Sequence, residues 1–193
     1  ASPYTTPSAP TISSINPGNS QLSVNFTAPN DGGTPITNYK YSTNGGSTFT
    51  AFSPSQTSSP LVITGLTNGT SYSVQIKAVN VGGDGTSSTT VSATPYTTPS
   101  APTISSITPG NEQLSVNFTA PNNGGSSITN YQFSLDNGIT YQSCNPPQTT
   151  SPIILSYPTV KVRSSNQIRI RAVNSIGVSE PSNMVLGEVP CLL

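Results

Sequence analysis

Leu22, Val24 and Phe26 alternate with Ser23 and Asn25, apolar then polar without a break. Successive side chains of an extended chain point to opposite faces, so this pattern predicts a half-buried strand. Pro29 ends it, and Asn30-Asp31-Gly32-Gly33 reads as a loop. Tyr39 and Tyr41 alternate in a second strand, and Asn44-Gly45-Gly46 is a hairpin signal returning into Phe49. Pro60 precedes the short apolar run Leu61-Val62-Ile63, and Asn68-Gly69 turns the chain again. Tyr72, Val74, Ile76 and Ala78 form the longest alternation, with Ser73, Gln75 and Lys77 on the other face. Val81 to Gly85 predicts a glycine-rich loop, Val91 a last strand, and Ile12 with Ile15 an opening one. No stretch carries a helical period. Seven short strands at regular turn spacing predict an all-β fold of two packed sheets.

The whole pattern then recurs. Tyr4 to Pro29 and Tyr96 to Pro121 differ only at Asn16/Thr108 and Ser20/Glu112, which is 24 matches in 26 positions at an offset of 92. Solenoid units run about 20–50 residues, so a period this long fits a whole domain used twice. The expected domains are residues 1–95 and 96–193, each with one modest core. Ala1-Ser2-Pro3 stands where Ala93-Thr94-Pro95 stands one period later. The expectation is an excerpt of a longer array; the alternative is a leader removed just upstream. Three prolines between Ala93 and Pro102 predict a linker stiffened toward an extended form.

Composition narrows the class. Hydrophobic residues are only 32% of the chain, but charged residues are 6% and the net charge is zero. Disorder usually pairs low hydrophobicity with high net charge. Here the polar bulk is Ser, Thr, Asn and Gln, with 16 Gly and 19 Pro, which suits strands with polar outer faces joined by tight turns. Neutrality argues against a nucleic-acid partner, which needs a basic stripe, and against a polybasic membrane patch. No apolar run reaches transmembrane length, so direct membrane insertion is not expected.

The segment Leu66-Thr-Asn-Gly-Thr-Ser-Tyr72-Ser-Val74-Gln-Ile76-Lys-Ala78-Val-Asn80 resembles the signature of fibronectin type III domains. Leu22-Ser-Val24-Asn-Phe26-Thr-Ala-Pro29 is similar to an earlier part of the same family's pattern. The resemblance covers nearly the whole chain as two copies, and it is to the bacterial and viral surface-protein type. It implies a seven-stranded Greek-key β-sandwich in each copy. It also implies that Tyr72, six residues after Leu66, is the tyrosine whose hydroxyl bonds backbone at the corner between the fifth and sixth strands. The family's core tryptophan is replaced by Phe26 and, in the second copy, by Phe118, which carry similar apolar area without an N–H to satisfy. The second copy departs further. Its offset shifts from 92 to 94 before Val160-Lys161-Val162-Arg163, and Asn166 stands where the corner tyrosine belongs, with Tyr157 as a substitute candidate.

Reactive chemistry is sparse. The chain has no histidine, which removes the commonest general base and metal ligand, so an enzyme is not expected and no cofactor is implied. Asp31 and Asp84 fall in loops that a type III sandwich would place at one pole, making them weak candidates to share a calcium ion, although Asn123 and Val178 replace them in copy two. They are more simply turn residues. Gly83-Asp84-Gly85 invites comparison with an integrin-binding loop but lacks its arginine. Lys161, Arg163, Arg169 and Arg171 form the one charge cluster, expected on outer strand faces of different sheets. Asn25, Asn68 and Asn117 head glycosylation sequons, and alternation points Asn25 and Asn117 outward. Cys144 stands where copy one has Phe52, and Cys191 lies near the end. They are read as an apolar core or surface residue or as an intermolecular disulfide, with no bridge expected between them because the fold separates their places by about a domain length, far beyond the ~7 Å a disulfide tolerates.

The function expected from these features is a non-enzymatic structural or adhesive spacer array at an extracellular or virion surface, partnered by other protein subunits of the assembly. The alternative is a carbohydrate-binding accessory module of a secreted or cell-surface protein. That reading needs exposed aromatics to stack on sugars, and the candidates are Tyr4, Tyr96, Phe52 and Tyr141.

Overall fold

The computed structural model describes residues 3–156, 159 and 165–188, and among them it contains strands and turns with no helix. The chain divides into two compact units, Ala1–Tyr96 and Thr97–Leu193.

In the first unit β1 (Thr11–Gly18), β2 (Gln21–Thr27) and β5 (Leu61–Thr64) make one sheet in the order β1-β2-β5. The other sheet runs β4 (Thr50–Ala51), β3 (Asn38–Ser42), β6 (Tyr72–Asn80), with β7 (Gly83–Asp84) and β8 (Val91–Ala93) both paired to β6. Every pairing is antiparallel. The stretch expected to be loop from Val81 to Gly85 thus contains β7, which extends the sheet by backbone bonding despite its glycines. Leu22, Val24 and Phe26 of β2 and Leu61 and Ile63 of β5 meet Tyr39 of β3 and Val74, Ile76 and Ala78 of β6 in one buried cluster. A one-residue slip of either sheet would turn these side chains into water, so the alternation sets the register.

Ile12 and Ile15 are three apart and would point to opposite faces of a regular strand. Ile12 pairs with Phe26 and Ser14 with Asn25, so Ser13 is an extra residue in a bulge. The bulge returns both isoleucines to the core side, against which both pack.

The second unit repeats the design. Its sheets are β13 (Ile153–Ser156), β10 (Gln113–Thr119), β9 (Thr103–Gly110), and β12 (Gln142–Ser143), β11 (Asn130–Ser134), β14 (Ser165–Val173), β15 (Val185–Glu188), each in that spatial order. The bulge recurs at Ser105. In both units a phenylalanine of one sheet meets a tyrosine of the facing sheet: Phe26 and Tyr39 with ring centroids 4.7 Å apart at 61°, Phe118 and Tyr131 at 4.6 Å and 58°. These are tilted, edge-biased contacts that favour the ring quadrupoles.

The Tyr72 hydroxyl accepts a hydrogen bond from the Thr67 amide at 2.9 Å, tying the chain at the corner before β6, and Leu66 packs on the core beside it. Asn166 is buried in the corresponding place, and its amide donates to the Gly187 carbonyl of β15 at 3.2 Å. The second unit therefore bonds this position to a neighbouring strand. Tyr157, Lys161, Arg163 and Cys191 lie outside the described residues.

The proline-rich segment does not behave as a free linker. Thr5 donates to Gly32 and Ser8 to Asn30, and one period later Thr97 donates to Gly124 and Ser100 to Asn122. Pro95 accepts from Gly69 and Tyr96 donates to Gly18, so Tyr96 falls in the first unit, one residue past the expected boundary. The bonded backbone groups of this segment find their partners in loops of the unit each belongs to.

Tyr39 is fully buried, and its hydroxyl has no hydrogen-bond partner; burial alone raises its pKa. An unsatisfied buried donor costs about 1–3 kcal/mol. Tyr39→Phe is therefore expected to raise the stability of the first unit by roughly 1 kcal/mol or more, and a drop in urea midpoint would contradict the assignment.

Candidate functional site

The pole where the chain enters each unit is organised by one buried asparagine. Asn80, at the end of β6, donates through Nδ2 to the Thr5 carbonyl at 2.8 Å and the Asp31 carbonyl at 2.7 Å, and its Oδ1 accepts from the Gly82 amide at 2.8 Å. Asn174 repeats this with Thr97 and Asn123, both at 2.9 Å, and accepts from Ile176 and Gly177 at 2.9 and 3.0 Å. The entering segment, the loop after β2 and the loop after β6 are thus clasped by a single side chain. A Cβ on Gly124 would run into the Thr97 and Thr98 carbonyls, so the loop after β10 must be glycine there as well as adopt its positive φ of 70°.

Asp31 and Asp84 are each engaged by other groups. Asp84 holds Lys40 at 2.9 Å and Lys77 at 2.7 Å, so both its oxygens face ammonium groups, and hydrogen bonds from Lys40 and then Lys77 keep its pKa below the ordinary value. Asp31 turns its Oδ1 onto the Gly33 amide at 2.9 Å and shapes its own loop. No group of three or more His, Cys, Asp or Glu among the described residues is placed to hold a metal ion. The same ion pairs tie down the aspartate of Gly83-Asp84-Gly85, in contrast to an aspartate offered to a receptor.

This cluster lies on the outer face of the β4-β3-β6-β7 sheet. Lys40 and Lys77 are cross-strand partners, Asp84 pairs with Val79, and the Lys77 ammonium sits 4.3 Å from the Phe49 ring centroid. The second unit fills the same registers with other chemistry. Gln132 and Arg171 are cross-strand partners, Val178 bridges Val173, and the Arg171 guanidinium lies 3.9 Å from the Tyr141 ring centroid. Arg169, on the same strand face, bonds Asn137 at 2.9 Å and the Ser182 carbonyl at 2.6 Å.

Cys144 is buried in the second core, 4% exposed, at the place of Phe52, which is 7% exposed in the first. That burial argues against the intermolecular disulfide reading of Cys144, a free thiol packed in the apolar core of the second unit. Burial also pushes its pKa up to about 11, leaving little thiolate at neutral pH. In a Cys191→Ser chain, a thiol reagent is expected to modify Cys144 only as the second unit opens, with labelling rising through the denaturant transition. Prompt labelling of the native chain would contradict this placement.

The aromatic candidates for sugar stacking are mostly spent elsewhere. Phe52 is in the core, 4.8 Å from the Tyr41 ring, and Tyr141 has its face under Arg171. Tyr96 is half-buried and Tyr4 is 55% exposed. The sequon asparagines are half-buried and engaged: Asn25 donates to Ser14 at 3.1 Å, Asn117 to Thr108 at 3.3 Å, and Asn68 donates to Asn19 at 2.9 Å while accepting from the Ser20 amide at 2.8 Å.

One carboxylate has a marked shift. Asp136 accepts from the Ser134 hydroxyl at 2.6 Å and from the Thr140 hydroxyl and amide at 2.6 and 2.9 Å, and these bonds lower its pKa to about 2. Asn44 makes the corresponding bonds in the first unit, accepting from Ser42 and the Thr48 amide and donating to the Thr48 hydroxyl. A folded pKa below the unfolded one, about 3.9, means the stabilisation is complete above the unfolded value and is lost as pH falls toward the folded one. Asp136→Asn should keep the turn and flatten the acid-side fall in melting temperature between about pH 4 and 2. Parallel pH profiles for the two chains would refute it.

No curated protein sequence matches the chain. A crystal structure of chicken CNTN1 FN1-FN3 domains is similar over 95% of this chain and 67% of its own, with 15% identity and a TM-score of 0.45. Residues 6–94, the first of the two all-β sandwiches, match the family model described as Fibronectin type III domain.

Proposed function

We propose that the chain is a non-enzymatic structural or adhesive spacer, two fibronectin type III-like sandwiches from an array exposed at an extracellular or virion surface. The observation carrying this reading is the duplication itself. A complete sandwich, with its entry clasp, bulge and aromatic pair, is used twice with the outer face free to diverge. Two further features support it. The clasped entry segment makes each unit whole by itself, and the neutral Ser/Thr/Asn-rich exterior suits a module built to extend an assembly. No helix of the described residues is long and apolar enough to cross a membrane. Partners are other protein subunits of the assembly.

An antibody against this chain, applied to intact source cells or particles and viewed by immunogold electron microscopy, tests the placement. Label on the outer surface is the expected result. Label that appears only after permeabilisation would overturn it. A glycan array read in parallel addresses the carbohydrate-binding alternative, for which saturable binding that survives Tyr4→Ala would require a site other than the remaining exposed aromatic.

A further inference from the structure

The two outer faces differ at one point that is chemically incomplete in the second unit. In the first, two ammonium groups converge on Asp84, so the positive charge is answered from within. In the second, the registers of Lys40, Lys77 and Asp84 hold Gln132, Arg171 and Val178. The cation is kept and the acid is gone. Arg171 is nevertheless held in place. Its Nε donates to Gln132 at 2.7 Å, Gln132 is anchored on the Ser143 hydroxyl at 3.2 Å, and Tyr141 lies under the guanidinium plane. With Nε used, the end-on fork of Nη1 and Nη2 has no acceptor among the described residues. The described ion pairs are the two at Asp84, so Glu180 does not serve Arg171 either. Arg169 is spent on Asn137 and a carbonyl. In the register where the first unit has Asp84, Val178 is 37% exposed.

We propose that Arg171, braced by Gln132 and Tyr141 and with Val178 in the register of Asp84, docks a carboxylate side chain of a partner protein in the place that Asp84 fills within the first repeat. A planar guanidinium offers two parallel N–H groups that match a carboxylate, and its orientation is already set, so little side-chain freedom is lost on binding. The exposed Val178 favours an acidic residue among apolar neighbours over an acidic sugar, whose hydroxyls would lose water against it. This rests on the reading of the chain as a binding or structural module and sharpens its partner; its failure leaves that reading standing, since a spacer needs no such site.

The test uses the full chain with 15N labelling and follows the Arg171 Nε–H resonance, assigned by its absence in Arg171→Gln. The probes are the capped tripeptides Leu-Asp-Leu and Leu-Asn-Leu and sodium glucuronate. The expected result is a saturable shift with the Asp peptide and affinity weaker by about tenfold or more for the Asn peptide. Val178→Asp, which restores the internal acid, should move the resonance without any ligand and abolish the peptide response. Equal responses to the two peptides, no saturable shift, or undiminished binding in Val178→Asp would overturn the proposal. Glucuronate binding as tightly as the Asp peptide would overturn the protein partner. The peptide comparison is made on the unaltered chain, so it stands whatever the variants do to folding.

Discussion

Asn80→Ala is expected to destabilise the first unit by about 2–4 kcal/mol, because three partners lose their hydrogen bonds to one buried side chain at once and each such bond is worth about 0.5–1.5 kcal/mol. Those partners are the Thr5 and Asp31 carbonyls and the Gly82 amide, and Asn80 itself is 4% exposed. Asn80→Asp should be worse than alanine despite its near-identical shape. It would set a carboxylate oxygen against two carbonyl oxygens where an amide now donates to both, and burial makes that charge costly. Asn174→Ala and Asn174→Asp should repeat the ranking in the second unit, where the clasped segment begins at Thr97. Urea unfolding of the full chain measures both. A loss under about 1 kcal/mol, or aspartate better tolerated than alanine, would show that water replaces the clasp.

Phe118→Ala should cost the second unit about 3–5 kcal/mol, the range for emptying a buried aromatic site. Phe118 is 6% exposed and its ring spans the two sheets to Tyr131. The lost contact is long-range in sequence and central to the sandwich, so neighbours have little freedom to collapse into the space. Protection of the Cys144 thiol in the Cys191→Ser background gives a readout specific to this unit, since Cys144 lies in the same core. Labelling of Cys144 should accelerate by about 10²–10³-fold or more where exchange follows the open population. An unchanged labelling rate would mean that the sheets are held by something other than this cluster.

Much of the fold was legible beforehand, and particular residues show why. Leu22-Val24-Phe26 and Val74-Ile76-Ala78 became buried inner faces because the period of two is a property of extended backbone, independent of what lies opposite. The three-residue spacing of Ile12 and Ile15 held the bulge in plain view, though only pairing with Phe26 and Asn25 located the extra residue at Ser13. Cys144 aligned with Phe52, but the alignment left a core residue and a disulfide both open, and only the packed second core shows the residue buried. For the proline-rich stretch the sequence offered stiffness toward an extended form, while the loops its carbonyls and amides bond to, such as Gly69 with Pro95 and Tyr96 with Gly18, depend on closure across tens of residues.

The candidate site was less legible. Asn80 reaches partners 75 and 49 residues away, and Asp84 finds Lys40 across 44. Nothing in the spacing of those residues distinguishes a clasp from a turn, or an ion-paired aspartate from a calcium ligand.

By itself, the order of amino acids determined the strands, their inward faces, the duplication and the poverty of reactive groups. All of these follow from local backbone periodicity and from composition. Only the closed tertiary structure decided which polar atoms meet: that Asn80 and Asn174 clasp their entry segments, that Asp84 answers two lysines, and that Arg171 stands over Tyr141 with no acid paired to it among the described residues. A hydrogen bond or ion pair is settled within a few ångströms, and those ångströms are set by sheet pairing and loop closure across tens of residues.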